Sequence, residues 1–162
     1  MRRTSIKFST IDTMDFTIKQ LSNQDIRFAR ELFYFFQIDD GITEPMVPSD
    51  KYIYDLLSKD DFHVIVALQN HLLIGGLTGY ELEMYKEEIK EMFLYEIAVV
   101  EDYRKKGVAK ALIEFLKQLC VLKGIREMYV GTSVNNTAAM KLYKSTGGQA
   151  DEDIAWFVYT CG

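Results

Sequence analysis

The sequence has little of what marks a secreted scaffold, a metal centre or a membrane protein. Its 162 residues include only two cysteines. Cys120 and Cys161 have no second Cys or His at ligand spacing, so neither a disulfide framework nor a zinc site is signalled. No apolar run approaches the ~18–20 residues of a spanning helix, and no basic stretch leads into a long apolar one. A soluble, cytoplasmic protein away from membranes is therefore expected. Positive charge is not in excess either: 19 Lys and Arg stand against 24 Asp and Glu, net −5, which argues against a general nucleic-acid partner. Repeats, low-complexity tracts and interdomain linkers are absent.

What is present is a core. With 48% hydrophobic residues the chain suits one domain, expected over residues 16–162 behind an N-terminal extension at residues 1–15. Phe16 to Gln20 alternates as a first strand, and Ser22 with Asp25 suggests a capped start for a helix over Gln24 to Gln37. Pro45 and Pro48 keep the next stretch irregular, and Ser49-Asp50 caps a second helix reaching about Ser58. Phe62–Gln69 and Leu72–Glu83 read as a hairpin turning at Asn70-His71, followed by a central strand over Met92–Val100. Val108 to about Lys123 carries an apolar helical face closed by Gly124. A strand at Met128–Thr132, a helix at Thr137–Ser145 and a last strand at Ile154–Thr160 complete the order. The fold class is α+β: a mixed, mostly antiparallel sheet flanked by helices, with a βαβ crossover in its second half.

Charge is uneven along this order. Glu101 to Arg126 holds seven basic and three acidic residues, a cationic segment in an acidic body. That pattern fits a protein that grips a phosphorylated ligand in one place and attracts a cationic molecule in another, although ordinary solvated surface charge gives the same count. Within it, Arg104-Lys105-Lys106-Gly107-Val108-Ala109-Lys110 carries the chain from a strand, through a polar turn, into a helix. A helix start leaves main-chain N–H groups unpaired at the positive end of its dipole, and Gly107 and Ala109 keep side chains out of an anion's way. Neither a Gly-x-Gly-x-x-Gly fingerprint nor a Gly-Lys-Ser/Thr loop is present.

Arg104-x-x-Gly107-x-Ala109, with Asn136-x-x-Ala139-x-x-Leu142-Tyr143-x-x-x-Gly147 downstream, resembles the GCN5-related N-acetyltransferase superfamily. Further likeness points to small single-domain aminoglycoside 3-N-acetyltransferases: Pro48-Ser49-Asp50-x-Tyr52, Ile74-Gly75-Gly76-Leu77 with Tyr80, Tyr95-Glu96-Ile97-Ala98-Val99, and Trp156-Phe157. Glu96 stands where that family's Asp is expected, and Gly148 replaces an aromatic.

The resemblance implies the superfamily fold and an acetyl-coenzyme A-dependent N-acetyltransferase of the antibiotic-resistance type. Its acceptor would be an aminoglycoside, at the 3-amino group. Another amine (a polyamine, a small metabolite or a protein N-terminus) and a non-catalytic acyl-coenzyme A sensor are the alternatives. The cofactor would lie on Ile97, Ala98, Val99, Arg104, Lys105, Lys106, Gly107, Val108, Ala109, Lys110, Asn136 and Tyr143. A main-chain N–H near Val99 would face the developing oxyanion, if the strand splays at Val99-Val100.

Glu96, the sole acid in an apolar strand, is the expected base, because an ammonium must lose its proton before it attacks and burial raises a carboxyl's pKa. An outward-facing or ion-paired Glu96 is the alternative. Tyr143 would protonate the departing thiolate, or else it is a packing residue. Arg104 equally suits an ion pair with an acid such as Asp102, and Asn136 a helix N-cap. Asp39, Asp40, Glu44, Glu81, Glu83 and Asp153 join Glu96 as acids able to receive a cationic small-molecule amine. His63 and His71 have no partner spacing. A homodimer through the Trp156 region is left open.

Overall fold

A computed structural model describes residues 10–13, 15–151 and 153–161. They form two compact units, one to Gly131 and one from Thr132.

The first unit is built on a six-stranded sheet of β1 (Thr10–Asp12), β2 (Thr17–Gln20), β3 (Phe62–Gln69), β4 (Leu72–Glu83), β5 (Lys90–Val99) and β6 (Glu127–Val130), neighbours in that order. All pairings are antiparallel except β5 with β6. The parallel pair requires a crossover, supplied by α3 (Val108–Lys123). The edge strand β1 comes from the stretch read as an extension.

Helices α1 (Ile26–Asp39) and α2 (Asp50–Leu57) cover one face of the sheet. Their Leu32, Phe36, Ile53 and Leu57 are buried in one cluster with Phe62, Val64 and Val66 of β3. Each fully buried leucine or isoleucine there is worth about 1.5–3 kcal/mol. α1 lies close on β4 because residue 76 is glycine: a Cβ there would meet Leu32 Cδ1 at 2.7 Å and the Ile65 carbonyl at 2.9 Å. The opposite face carries α3, whose Leu116 stands with the Met92 sulfur within 4 Å of a Cβ placed at Gly79.

Local chemistry explains the boundaries. Asn70 and His71 both adopt positive φ, 48° and 65°, the two-residue turn that matches strand twist. α1 starts two residues later than its capping pattern suggests. The Asp25 carboxylate turns back to the Ser22 N–H and hydroxyl, both 2.9 Å, and to Lys19 at 2.5 Å. α3 ends at Gly124 (φ 68°), with the Ile125 N–H on the Cys120 carbonyl at 2.8 Å.

In the second unit, α4 (Thr137–Ser145) starts on Asn136, whose Oδ1 accepts from the Ala139 N–H at 3.1 Å. It closes with Gly147 at φ 92° and the Gly148 N–H on the Tyr143 carbonyl at 2.8 Å. The strand expected at Ile154–Thr160 does not form, and these residues are exposed. β-rich composition gives only a propensity, and a strand exists through a ladder that these residues do not enter.

Candidate active site

The site is made by an irregularity in β5. Thr78 pairs with Glu96, yet the next residue, Gly79, pairs with Leu94, so Tyr95 is the extra residue of a β-bulge. Strict alternation would put Glu96 on the side of Met92 and Leu94, which are buried on the α3 face. The bulge instead sets it opposite Thr78, on the face that carries α1 and α2.

On that face Glu96 is half-buried, and burial pushes its carboxyl up to about 7, with the nearby charges of Asp40 and Asp39 adding to the rise. A row of rings runs beside it. Phe62 to Tyr80 is 4.8 Å between centroids, Tyr80 to Tyr95 5.7 Å, Tyr95 to Phe93 5.7 Å, and Phe93 to Tyr129 5.1 Å. Tyr95 remains 61% exposed. The Tyr80 phenol is held above its ordinary range by burial and by Tyr95, Tyr52 and Glu96, so these groups share one neighbourhood. Sequence reasoning did not single out this aromatic row.

β5 also opens toward β6. The parallel ladder runs only from Glu91↔Glu127 to Leu94↔Val130, and past the bulge no described strand pairs with that edge. The Val100 N–H bonds the Ile74 carbonyl at 2.9 Å. Because successive residues of an antiparallel ladder face alternate edges, Ala98 and Glu96 also turn their main-chain groups to β4, while Ile97 and Val99 turn theirs to the open edge. The described β5–β6 ladder thus ends before Val99-Val100, and the Val99 N–H lies on the strand edge that no described strand pairs with.

A 3-10 turn, Glu101–Tyr103, leads from β5 to the cationic segment. Lys105 has φ 60° and Gly107, the N-cap of α3, has φ 83°. The left-handed region costs a lysine about 1 kcal/mol and glycine almost nothing. The first helical bond is from the Ala111 N–H to the Gly107 carbonyl at 2.9 Å. By helix geometry the N–H groups of Val108, Ala109 and Lys110 lack intrahelical acceptors. No atom lies within 4 Å of where a Gly107 Cβ would stand, and Lys105, Lys106 and Lys110 are exposed around it. The donor set is cationic and open, and it fits a diphosphate.

The Arg104 side chain points elsewhere. Its Nε donates to the Val99 carbonyl at 2.9 Å and its Nη2 to Asp39 Oδ1 at 2.7 Å. The ion pair anticipated with a neighbour such as Asp102 is instead made with Asp39, 65 residues away in the chain.

The expected acids divide. Asp39, Asp40 and Glu96 come together. Glu44 is exposed on the segment between α1 and α2. Glu81 belongs to another environment: its side chain is 0% exposed and engages His63 Nε2 at 2.6 Å, Lys90 at 3.0 Å and Lys123. Lys123 is the last residue of α3, and Glu81 lies one residue out of phase with Tyr80, so it faces away from Glu96. These partners hold its carboxyl below the ordinary range despite burial. Glu83 pairs with Lys90 at 3.7 Å. In the second unit Asp153 donates its N–H to Asp151 at 3.1 Å, Asn136 caps α4, and burial raises the Tyr143 phenol. No described group of His, Cys, Asp and Glu could hold a metal ion. No helix of the described residues is long and apolar enough to cross a membrane.

Comparison with known proteins gives the family. An aminoglycoside N(6′)-acetyltransferase type 1 of Salmonella typhimurium is 28% identical over 123 residues, covering 72% of this chain and 85% of its own. An aminoglycoside acetyltransferase from an uncultured soil metagenomic sample, solved with sisomicin, is 28% identical. It superposes with a TM-score of 0.86 over 91% of this chain and 97% of its own. The aminoglycoside acetyltransferase AAC(6′)-Iy, solved with a coenzyme A bisubstrate analogue, is 25% identical, with a TM-score of 0.72 over 90% of this chain and 99% of its own. Residues 27–147 match the acetyltransferase (GNAT) family. The chain belongs to that family and is an N-acetyltransferase.

Proposed function

We propose that this protein acetylates an amine of an aminoglycoside, with Glu96 as the base. The observation that carries the reading is a half-buried carboxyl held at about 7 beside Asp39 and Asp40, at the mouth of an open strand edge. A base poised near neutrality is about half ionised at pH 7, so it can take a proton from an ammonium and pass it on. Asp39 and Asp40 supply negative charge that draws a cationic acceptor to it, and the exposed Tyr95 ring offers a flat apolar surface for a sugar ring.

Acetyl-coenzyme A would supply an acetyl group activated as a thioester. The N–H groups of Val108, Ala109 and Lys110, with the Lys105, Lys106 and Lys110 ammoniums, would hold its diphosphate. The Ile97 and Val99 N–H groups at the open edge would orient its acyl arm, alongside Ala98. Tyr143, whose phenol carries its proton at neutral pH as an ordinary tyrosine does and whose burial raises it further, would give that proton to the departing thiolate. Asn136, besides capping α4, would contact the pantetheine arm. The same reading takes residues 16–162 as one functional domain and Asp153 as an acceptor-side acid; Glu44 keeps that assignment on exposure and charge alone.

Position on the acceptor is open between amines. The resemblance suggested the 3-amino group, whereas the aminoglycoside relatives named for a position are named for 6′, and the 6′-amine is the better-supported choice. The test is thiol release from acetyl-coenzyme A with a panel of aminoglycosides, polyamines and peptides, followed by NMR of the product. Turnover with sisomicin giving a 6′-acetylated product is expected. Turnover confined to polyamines or peptides would refute the aminoglycoside reading, and coenzyme A binding without turnover would favour a sensor.

A further inference from the structure

The Arg104 guanidinium is rooted in the turn that the proposed donor site occupies, yet it is spent on the acceptor side. It bridges the Val99 carbonyl at the end of β5 to Asp39 at the C-terminal end of α1. Asp39 is one of the two carboxylates whose charge reaches Glu96. The pair is accessible, with side chains 48% and 36% exposed, so either partner can exchange its contact for another without a buried charge being stranded. Lys105, immediately after Arg104, takes a left-handed φ of 60°, which turns the chain sharply between the guanidinium and the helix start.

We propose that Arg104 is a positioning residue that links the two halves of the site: its guanidinium rests on Asp39, and an anion at the 105–110 turn competes with Asp39 for it. This rests on the donor site proposed above. When the guanidinium moves toward the anion, Asp39 becomes an unpaired carboxylate beside Asp40 and Glu96, and the site attracts a cationic amine more strongly. The linkage is reciprocal, so an ammonium on Asp39 releases Arg104 and tightens donor binding by the same factor.

The test is a double-mutant cycle on coenzyme A affinity, read by calorimetry with the wild type, Asp39→Asn, Arg104→Gln and the double variant. Exposed ion pairs are worth little, so the expected effect is modest. Asp39→Asn should bind coenzyme A about two- to fivefold more tightly than the wild type, and this gain should vanish when Arg104 is already Gln. A merely structural pair would give weaker binding on breaking, not tighter. Unchanged or weaker binding by Asp39→Asn overturns the proposal. So does a gain that persists in the Arg104→Gln background, which would reflect lost general repulsion. If the wild type and all variants fail to bind coenzyme A, the donor site itself is wrong and the linkage falls with it.

Discussion

Replacing Asp40 with Asn should move the acid limb of catalysis to lower pH. Glu96 stands at about 7, chiefly through burial and then through the charges of Asp40 and Asp39. Repulsion from one neighbouring, solvent-screened carboxylate is worth about 1 kcal/mol, which is under one pH unit. Asp40→Asn should therefore lower the apparent pKa on the rising limb of kcat/KM by about 0.5–1 unit, and burial should keep it above the ordinary carboxyl value. At pH 6 the wild-type base is about one-tenth ionised, and the variant about one-quarter to one-half.

The assay is thiol release at saturating acetyl-coenzyme A from pH 5 to 9, with sisomicin as acceptor. Each profile is normalised to its own plateau, because losing a carboxylate also weakens attraction of the acceptor. Titration of the acceptor amine contributes to the same limb but is common to both proteins, so the difference isolates the enzyme's group. A limb that stays in place, or moves upward, would refute the claim that Asp40 acts on the catalytic carboxyl.

Glu96→Gln bears on stability as well. Its folded pKa is raised from 4.5 to about 7, so its favourable contribution is complete below about 4.5 and disappears as pH rises through 7. The variant should match the wild type in urea near pH 4.5. At pH 8 it should be more stable by about 1–2 kcal/mol, after discounting for partial exposure. Gly76→Ala should lower the melting temperature, at a cost of about 1–3 kcal/mol, because the new methyl meets Leu32 and the Ile65 carbonyl below 3 Å; calorimetric scanning reads it. Glu81→Gln should weaken the fold measurably in urea by loosening three partners while leaving the acceptor KM unchanged, since that carboxylate faces α3. A raised KM would return Glu81 to the acceptor cleft.

Elements with strong local signals were legible. The β3–β4 hairpin follows from two apolar runs around Asn70-His71, and α3 from its apolar stripe and Gly124. Glu96 stood out because a lone acid in an apolar strand has few structural uses. What escaped depends on partners distant in sequence. Nothing near Arg104 announces Asp39, and nothing near Glu81 announces Lys123 or His63. The bulge at Tyr95 arises from register with β4, which composition does not encode. Ile154 to Thr160 has β-rich composition, but pairing is a property of two strands and composition of one.

The most direct test of Glu96 as base is turnover by Glu96→Gln at pH 8, measured together with coenzyme A affinity. Loss of a positioned general base should cut kcat by about a hundredfold or more while the coenzyme A Kd stays within about twofold. Turnover close to the wild type, with binding intact, would contradict the account.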